Sequence, residues 1–121
     1  MSRAVLIVED TAPTRDILEI ALLQLPGVVV HSVATAEEAL LCLAAHEIAA
    51  MVTDLNLPRM DGFQLIAAVR AASDMPIMVI SGDNDPSTLE RLVSLGASAY
   101  FAKPYSPAQV RQRLEELIDA P

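Results

Sequence analysis

Apolar positions in this chain alternate between two rhythms. Five short stretches, Ala4–Val8, Val28–Ser32, Ala49–Thr53, Pro76–Ile80 and Ala97–Ala102, are rich in apolar residues and have strand length. The first is unbroken by any polar residue, as expected of a strand covered on both faces and central in its sheet. Between the strands the period lengthens. Leu18, Ala21, Leu22 and Leu25 fall at i, i+3, i+4 and i+7, predicting a helix that tolerates Pro13 in its first turn and stops at Pro26 and Gly27. Thr35 with Glu38 is a capping-box signature for a second helix reaching about Ala45. Pro58, Asp61 and Gly62 punctuate a loop before a third helix through Leu65, Ile66 and Val69 that fades near Ser73. Asp83, Asn84 and Asp85 form a polar loop, and Pro86 opens a fourth helix through Leu89, Leu92 and Val93 to Gly96. Ser106 with Gln109 caps a fifth, whose stripe is Val110, Leu114, Leu117 and Ile118; Asp119 to Pro121 are expected to fray.

Five alternations of strand and helix predict an α/β domain: a doubly wound parallel sheet with helices on both faces and right-handed crossovers. In such sheets ligands bind beyond the carboxyl ends of the strands. The polar residues at those ends are Glu9 and Asp10, Asp54, Ser81 and Lys103. From Asp10 through Ser32, Asp54 and Ser81 to Lys103 the intervals are 22, 22, 27 and 22 residues, each about one strand, one helix and two loops. Two acids for a cation, one further carboxylate, one hydroxyl and one ammonium make a set suited to accepting and holding a phosphoryl group.

Composition narrows the picture. At 121 residues the chain is read as one domain, residues 1–121. With 53% hydrophobic but only 3% aromatic residues, its core must be built from Ala, Val, Leu and Ile. Sixteen acids against eight bases give a net charge of −8, which repels nucleic acid and anionic membrane surfaces. Cys42 is the single cysteine, so neither an internal disulfide nor a cysteine-based zinc site can form. Glu9 and Asp10 cut the first apolar run short of a signal peptide or membrane span, so the expectation is a soluble, cytoplasmic protein.

L-I-V-E-D at residues 6–10, V-T-D-L-N-L-P-R-M-D-G at 52–62, V-I-S-G at 79–82 and G-A-S-A-Y-F-A-K-P at 96–104 together resemble the receiver domain of two-component response regulators, in the family's order and spacing. The resemblance implies a flavodoxin-like (βα)5 fold with strand order 2-1-3-4-5. It also implies a phosphoacceptor aspartate, Asp54, that receives a phosphoryl group from a histidine kinase or histidine phosphotransfer protein. The chain is thus expected to be no enzyme acting on a free substrate, but a domain that assists its own phosphorylation and dephosphorylation.

In a 2-1-3 sheet Asp10 and Asp54 end close together with Glu9 nearby, and clustered carboxylates repel unless a cation intervenes. Mg2+ suits them, because it takes hard oxygen ligands, keeps waters and bridges to phosphate. Asp10 and Asp54 are expected as direct ligands; by resemblance Glu9 acts directly or through water and the Asn56 backbone carbonyl completes the set. Lys103 and Ser81 supply the fixed positive and hydrogen-bonding partners for charge on the transferred group. By resemblance Pro104 follows a cis peptide, Ser81 and Tyr100 are the switch residues, and the face of helix four, strand five and helix five binds a downstream partner. Asn56 and Asp83, two residues after Asp54 and Ser81, are expected to help position a hydrolytic water and shorten the phosphoryl lifetime.

Singly, each of these acids reads as a solvated loop residue, and only the set at matching strand ends carries the reading. His31 and His46 have no partner at ligand spacing and are assigned surface or capping roles. Cys42 is assigned to packing, Asp61 and Gly62 to the turn before helix three. Ile17, Ile20 and Leu23 on helix one admit two readings: a docking surface for the helical bundle of a phosphodonor, or a wide core-facing arc. Relatives that dimerise through helices four and five carry an acidic pair where this chain has Ser98 and Ala99, so a monomer or weak dimer is expected. A haloacid-dehalogenase-type phosphohydrolase needs its D-x-D motif after strand one, where Asp10 is followed by Thr11 and Ala12, and a flavodoxin-like carrier needs a phosphate loop there. The rival that survives is a receiver-like protein-binding module that is never phosphorylated.

Overall fold

The computed structural model describes residues 3–83 and 85–119. Strands and helices alternate as β1 (Arg3–Val8), α1 (Ala12–Leu22), β2 (Val28–Val33), α2 (Ala36–Ala45), β3 (Ala50–Asp54), α3 (Gly62–Arg70), β4 (Ile77–Ser81), α4 (Pro86–Leu95), β5 (Ala99–Ala102) and α5 (Pro107–Ile118). The strands form one parallel sheet in the order β2-β1-β3-β4-β5.

Strand side chains alternate between faces, and here each face builds its own core. Leu6, Val8, Met51, Ile77 and Val79 pack with α2, α3 and α4 through Ala36, Ala39, Leu65, Ile66, Val69 and Leu92. Val5, Ile7, Ala50, Val52, Met78 and Ile80 pack on the other face against α1 and α5, through Leu18, Leu22, Val110 and Leu114. β1, β3 and β4 are buried on both faces, which explains their apolar runs. Fully burying one such Leu, Ile or Val contributes about 1.5–3 kcal/mol, so two faces of them hold the sheet without aromatic bulk.

Caps set the helix limits. Thr35 accepts from the Glu38 N–H, Ser106 from the Gln109 N–H, and Asp61 and Gln64 form a reciprocal capping box before α3. Gly96 ends α4 at φ 90°, a conformation that favours glycine.

Several expectations need correction. β5 begins at Ala99, because Ala97 still bonds back to Leu92 and closes α4, and Ser98 uses its hydroxyl to accept from the Ile77 N–H. α1 ends at Leu22, although Leu25 remains buried below it. Val93 is 75% exposed, and the buried face of α4 runs through Thr88 and Leu92 instead. Asp119 is not frayed: its N–H caps α5 on the Glu115 carbonyl and its carboxylate pairs with Arg3, whereas Ala120 and Pro121 lie outside the described residues, as does Asn84 of the predicted polar loop. Ile17, Ile20 and Leu23 are 52%, 64% and 53% exposed, so the wide core-facing arc is excluded. Among the described residues no helix is long and apolar enough to cross a membrane.

Candidate functional site

The parallel register brings the carboxyl ends of β1, β3, β4 and β5 to one edge. Val8 pairs with Thr53, Asp54 with Ile80 and Ser81 with Ala102, so the residues just beyond these pairs share a single rim. There Glu9, Asp10 and Asp54 converge, each offering a carboxylate oxygen within 4.8 Å of the others. Glu9 and Asp54 are buried while Asp10 is exposed, which leaves one side of the cluster open to solvent.

The cluster is held from several directions. Lys103 places Nζ 2.5 Å from Asp54 Oδ2, and the Asn56 N–H donates to Asp54 Oδ1 at 2.9 Å. The Thr11 N–H donates to Glu9 Oε1 at 3.1 Å, and Arg15 of α1 donates to the Glu9 carbonyl at 2.8 Å. Lys103 is carried in by its own N–H bond to the Ser81 carbonyl, and its peptide to Pro104 is cis, as expected.

Electrostatics follow from this crowding. Burial pushes the Glu9 carboxyl up to about 7; the Thr11 N–H partly offsets this and the Asp54 charge adds to it. Burial opposes the charged form of Lys103, but Asp54, Glu9 and Asp10 outweigh it and hold the ammonium above its usual range. Tyr105, half-buried next to Pro104, is raised to about 12 by burial and by the charges of Glu9 and Asp54. The donor set fits a hard divalent cation: three carboxylate oxygens, one open side for water, and an uncompensated cost of ionising Glu9.

The remaining predicted residues are joined by hydrogen bonds beside the cluster. The fully buried Ser81 hydroxyl accepts from the Asp83 N–H at 3.0 Å. Tyr100 donates from its hydroxyl to the Asp83 carbonyl at 2.6 Å and lies 3.4 Å from that of Ser81. Burial, then the Asp83 charge, raises the phenol above its usual range. Both Asp83 carboxylate oxygens accept a hydrogen bond, Oδ1 from the Asp85 N–H and Oδ2 from the Thr88 hydroxyl at 2.8 Å, so this side chain ties the loop to α4.

Three contributors escaped the sequence reading. Arg15 and Tyr105 carried no periodic signal, although Tyr105 directly follows Lys103-Pro104. Gly62, expected to serve the turn before helix three, begins α3 pressed on the acceptor strand: a Cβ there would lie 2.6 Å from Leu55 Cα and 2.8 Å from the Asp54 carbonyl oxygen.

Comparison with known proteins agrees with this geometry. Residues 5–115 match the family model described as response regulator receiver domain. The chain is 33% identical over 114 residues to "Probable transcriptional regulator ycf27" of Porphyridium aerugineum, covering 94% of this chain and 47% of that protein. It is 35% identical over 112 residues to "Regulatory protein VirG" of Agrobacterium tumefaciens (strain 15955), covering 91% and 41%. The chain therefore spans less than half the length of these relatives. Among solved structures it is similar to the chemotaxis response regulator CheY4 of Vibrio cholerae, with TM-score 0.87, 26% identity and coverage of 97% and 99%.

Proposed function

The chain belongs to the response regulator receiver domain family, and from that premise we propose that Asp54 accepts a phosphoryl group from a histidine kinase or histidine phosphotransfer protein. The observation that carries this reading is the buried Asp54 carboxylate, joined to Lys103 on one oxygen and facing Glu9 and Asp10 within 4.8 Å. An Asp54 oxygen attacks phosphorus, the bond from phosphorus to the donor imidazole nitrogen breaks with its electron pair left on nitrogen, and an acyl phosphate forms. Lys103 moves with the negative charge from carboxylate to phosphoryl oxygens, and the Asn56 N–H keeps the acceptor oriented.

Asp10, Asp54, Glu9 and the Asn56 backbone carbonyl would hold Mg2+, which when bound supplies charge neutralisation between carboxylates and phosphoryl oxygens. Ser81 then exchanges its bond with the Asp83 N–H for one to the phosphoryl group. That exchange frees the loop held by Asp83, whose other partners are Thr88 on α4 and Tyr100 on β5, and so reshapes the α4-β5-α5 face for a downstream partner. Water attack returns Asp54 and inorganic phosphate, so the domain assists both halves of its own cycle and turns over no other substrate. The exposed Ile17, Ile20 and Leu23, beside the hollow lined by Thr14, Lys103, Pro104 and Tyr105, are the docking surface for the donor's helical bundle. With a net charge of −8 this segment acts on transcription, if it shares that output with its curated relatives, through protein contacts rather than by touching DNA.

The test is intact-mass analysis after incubation with Mg2+ and a small phosphodonor. One added phosphoryl group on wild type and none on Asp54→Ala supports the proposal. Addition to both moves the acceptor elsewhere, and addition to neither favours the receiver-like binding module that is never phosphorylated.

A further inference from the structure

The loop that leaves Asp54, residues 55–61, is held at its start by the site itself: the Asn56 N–H donates to Asp54 Oδ1 at 2.9 Å and the Leu57 N–H to the Leu55 carbonyl. Its far half is held by a different helix. The Met60 N–H donates to Glu37 Oε1, in the first turn of α2, at 3.3 Å. Among the described residues this is the only hydrogen bond that residues 56–61 make outside their own segment from β3 to α3. Arg59, just before Met60, has a φ of 66°, a left-handed conformation that a side chain disfavours, so the backbone there needs an outside hold. Glu37 supplies it at a cost, because its second oxygen, Oε2, is buried with no hydrogen-bond partner among the described residues. A dry oxygen calls for a physical reason, and a loop of the acceptor site kept in a strained conformation is one.

We propose that Glu37 is a positioning residue for phosphoryl transfer: from outside the site it fixes Met60, and through residues 57–59 it fixes the Asn56 backbone carbonyl. The inference rests on the reading that this carbonyl, with Glu9, Asp10 and Asp54, holds Mg2+. Mg2+ demands near-ideal octahedral geometry, so a backbone ligand serves it only when its loop is already in place. The bond from Met60 asks for an acceptor oxygen and not for a charge, so Gln can replace Glu37. The coupling is reciprocal: whatever factor the bond adds to Mg2+ affinity, Mg2+ adds to the stability of the bond.

Mg2+ is titrated calorimetrically into wild type, Glu37→Ala and Glu37→Gln. Loss of a residue that supports a metal ligand costs 10–100-fold in affinity, and with one ligand affected Glu37→Ala is expected to bind about tenfold more weakly, while Glu37→Gln binds as wild type does. In wild type, saturating Mg2+ should slow hydrogen exchange of the Met60 amide by the same factor of about ten. With a small phosphodonor, the initial phosphorylation rate of Glu37→Ala should fall at limiting Mg2+ and recover when Mg2+ saturates, a recovery that a general loss of fold would not allow. Equal affinity in Glu37→Ala, failure of Gln to restore it, or Met60 exchange indifferent to Mg2+ would overturn the role of Glu37 and leave the acidic site standing. No Mg2+ uptake by wild type would overturn the reading of that site, and this inference with it. The exchange measurement needs wild type alone, so it decides the matter even if the Ala variant does not fold.

Discussion

Replacing Gly62 with Ala adds one methyl group at the most constrained point near the acceptor. The new Cβ would meet two backbone atoms, Leu55 Cα at 2.6 Å and the Asp54 carbonyl oxygen at 2.8 Å, where ordinary contact begins at 3.4 Å. Neither can rotate away, so α3 and the end of β3 must separate by about 0.8 Å, stretching the Gly62 N–H bond to the Leu55 carbonyl. Overpacking of this kind costs about 1–3 kcal/mol, and a backbone collision belongs at the upper end. Gly62 has no left-handed φ, so the substitution incurs no conformational penalty, and the helix preference for Ala returns at most about 1 kcal/mol. The net expectation is a loss of about 2 kcal/mol, read as a lower urea midpoint at unchanged slope. Because Asp54 moves with the strand, Mg2+ affinity and phosphoryl uptake should fall as well. Gly82→Ala is the control: it neighbours Ser81, its Cβ would meet nothing within 4 Å, and its stability should stay within about 0.5 kcal/mol of wild type. If Gly62→Ala matches that control, steric contact does not set the acceptor strand.

Glu9 holds its proton up to about pH 7 in the folded chain against 4.5 normally, so folding takes up a proton in that window and stability falls as pH rises through it. Glu9→Gln, which can still accept from Thr11, should therefore stabilise the metal-free protein by about 2–3 kcal/mol at pH 8 and give no gain below pH 4.5; equal gains at both pH values would contradict the burial argument. Mg2+ must displace that proton, so its elevation of the melting temperature should be larger at pH 8 than at pH 5.5, and a pH-independent elevation would exclude Glu9 as a contributor. Thr88→Val removes the 2.8 Å bond to Asp83 at a cost of about 1 kcal/mol, and hydrogen exchange in the first turn of α4 should accelerate while β1 and β3 stay protected; unchanged α4 exchange would mean that Asp83 does not anchor this helix.

Periodicity alone revealed the alternation of strands and helices, because β1, β3 and β4 are buried on both faces and the helix stripes are narrow. It misplaced Val93 because Leu89, Leu92 and Val93 satisfy an i, i+3, i+4 pattern, while the buried position went to Thr88, whose hydroxyl is satisfied by Asp83. A polar residue that brings its own hydrogen bond is invisible to a hydrophobic count. Glu9, Asp10, Asp54, Ser81 and Lys103 were legible because each closes an apolar run and the register of parallel strands aligns run ends. Gly62, Arg15 and Glu37 depend on contacts between segments whose separation only the folded chain reveals.

The central claim is most directly tested by locating the phosphoryl group. Wild type treated with a small phosphodonor is digested under mild conditions and its peptides are mapped by mass spectrometry, with and without a Mg2+ chelator. The account predicts modification on Asp54 that collapses when Mg2+ is withdrawn. Modification at any other residue, or at Asp54 with equal yield under chelation, would contradict it.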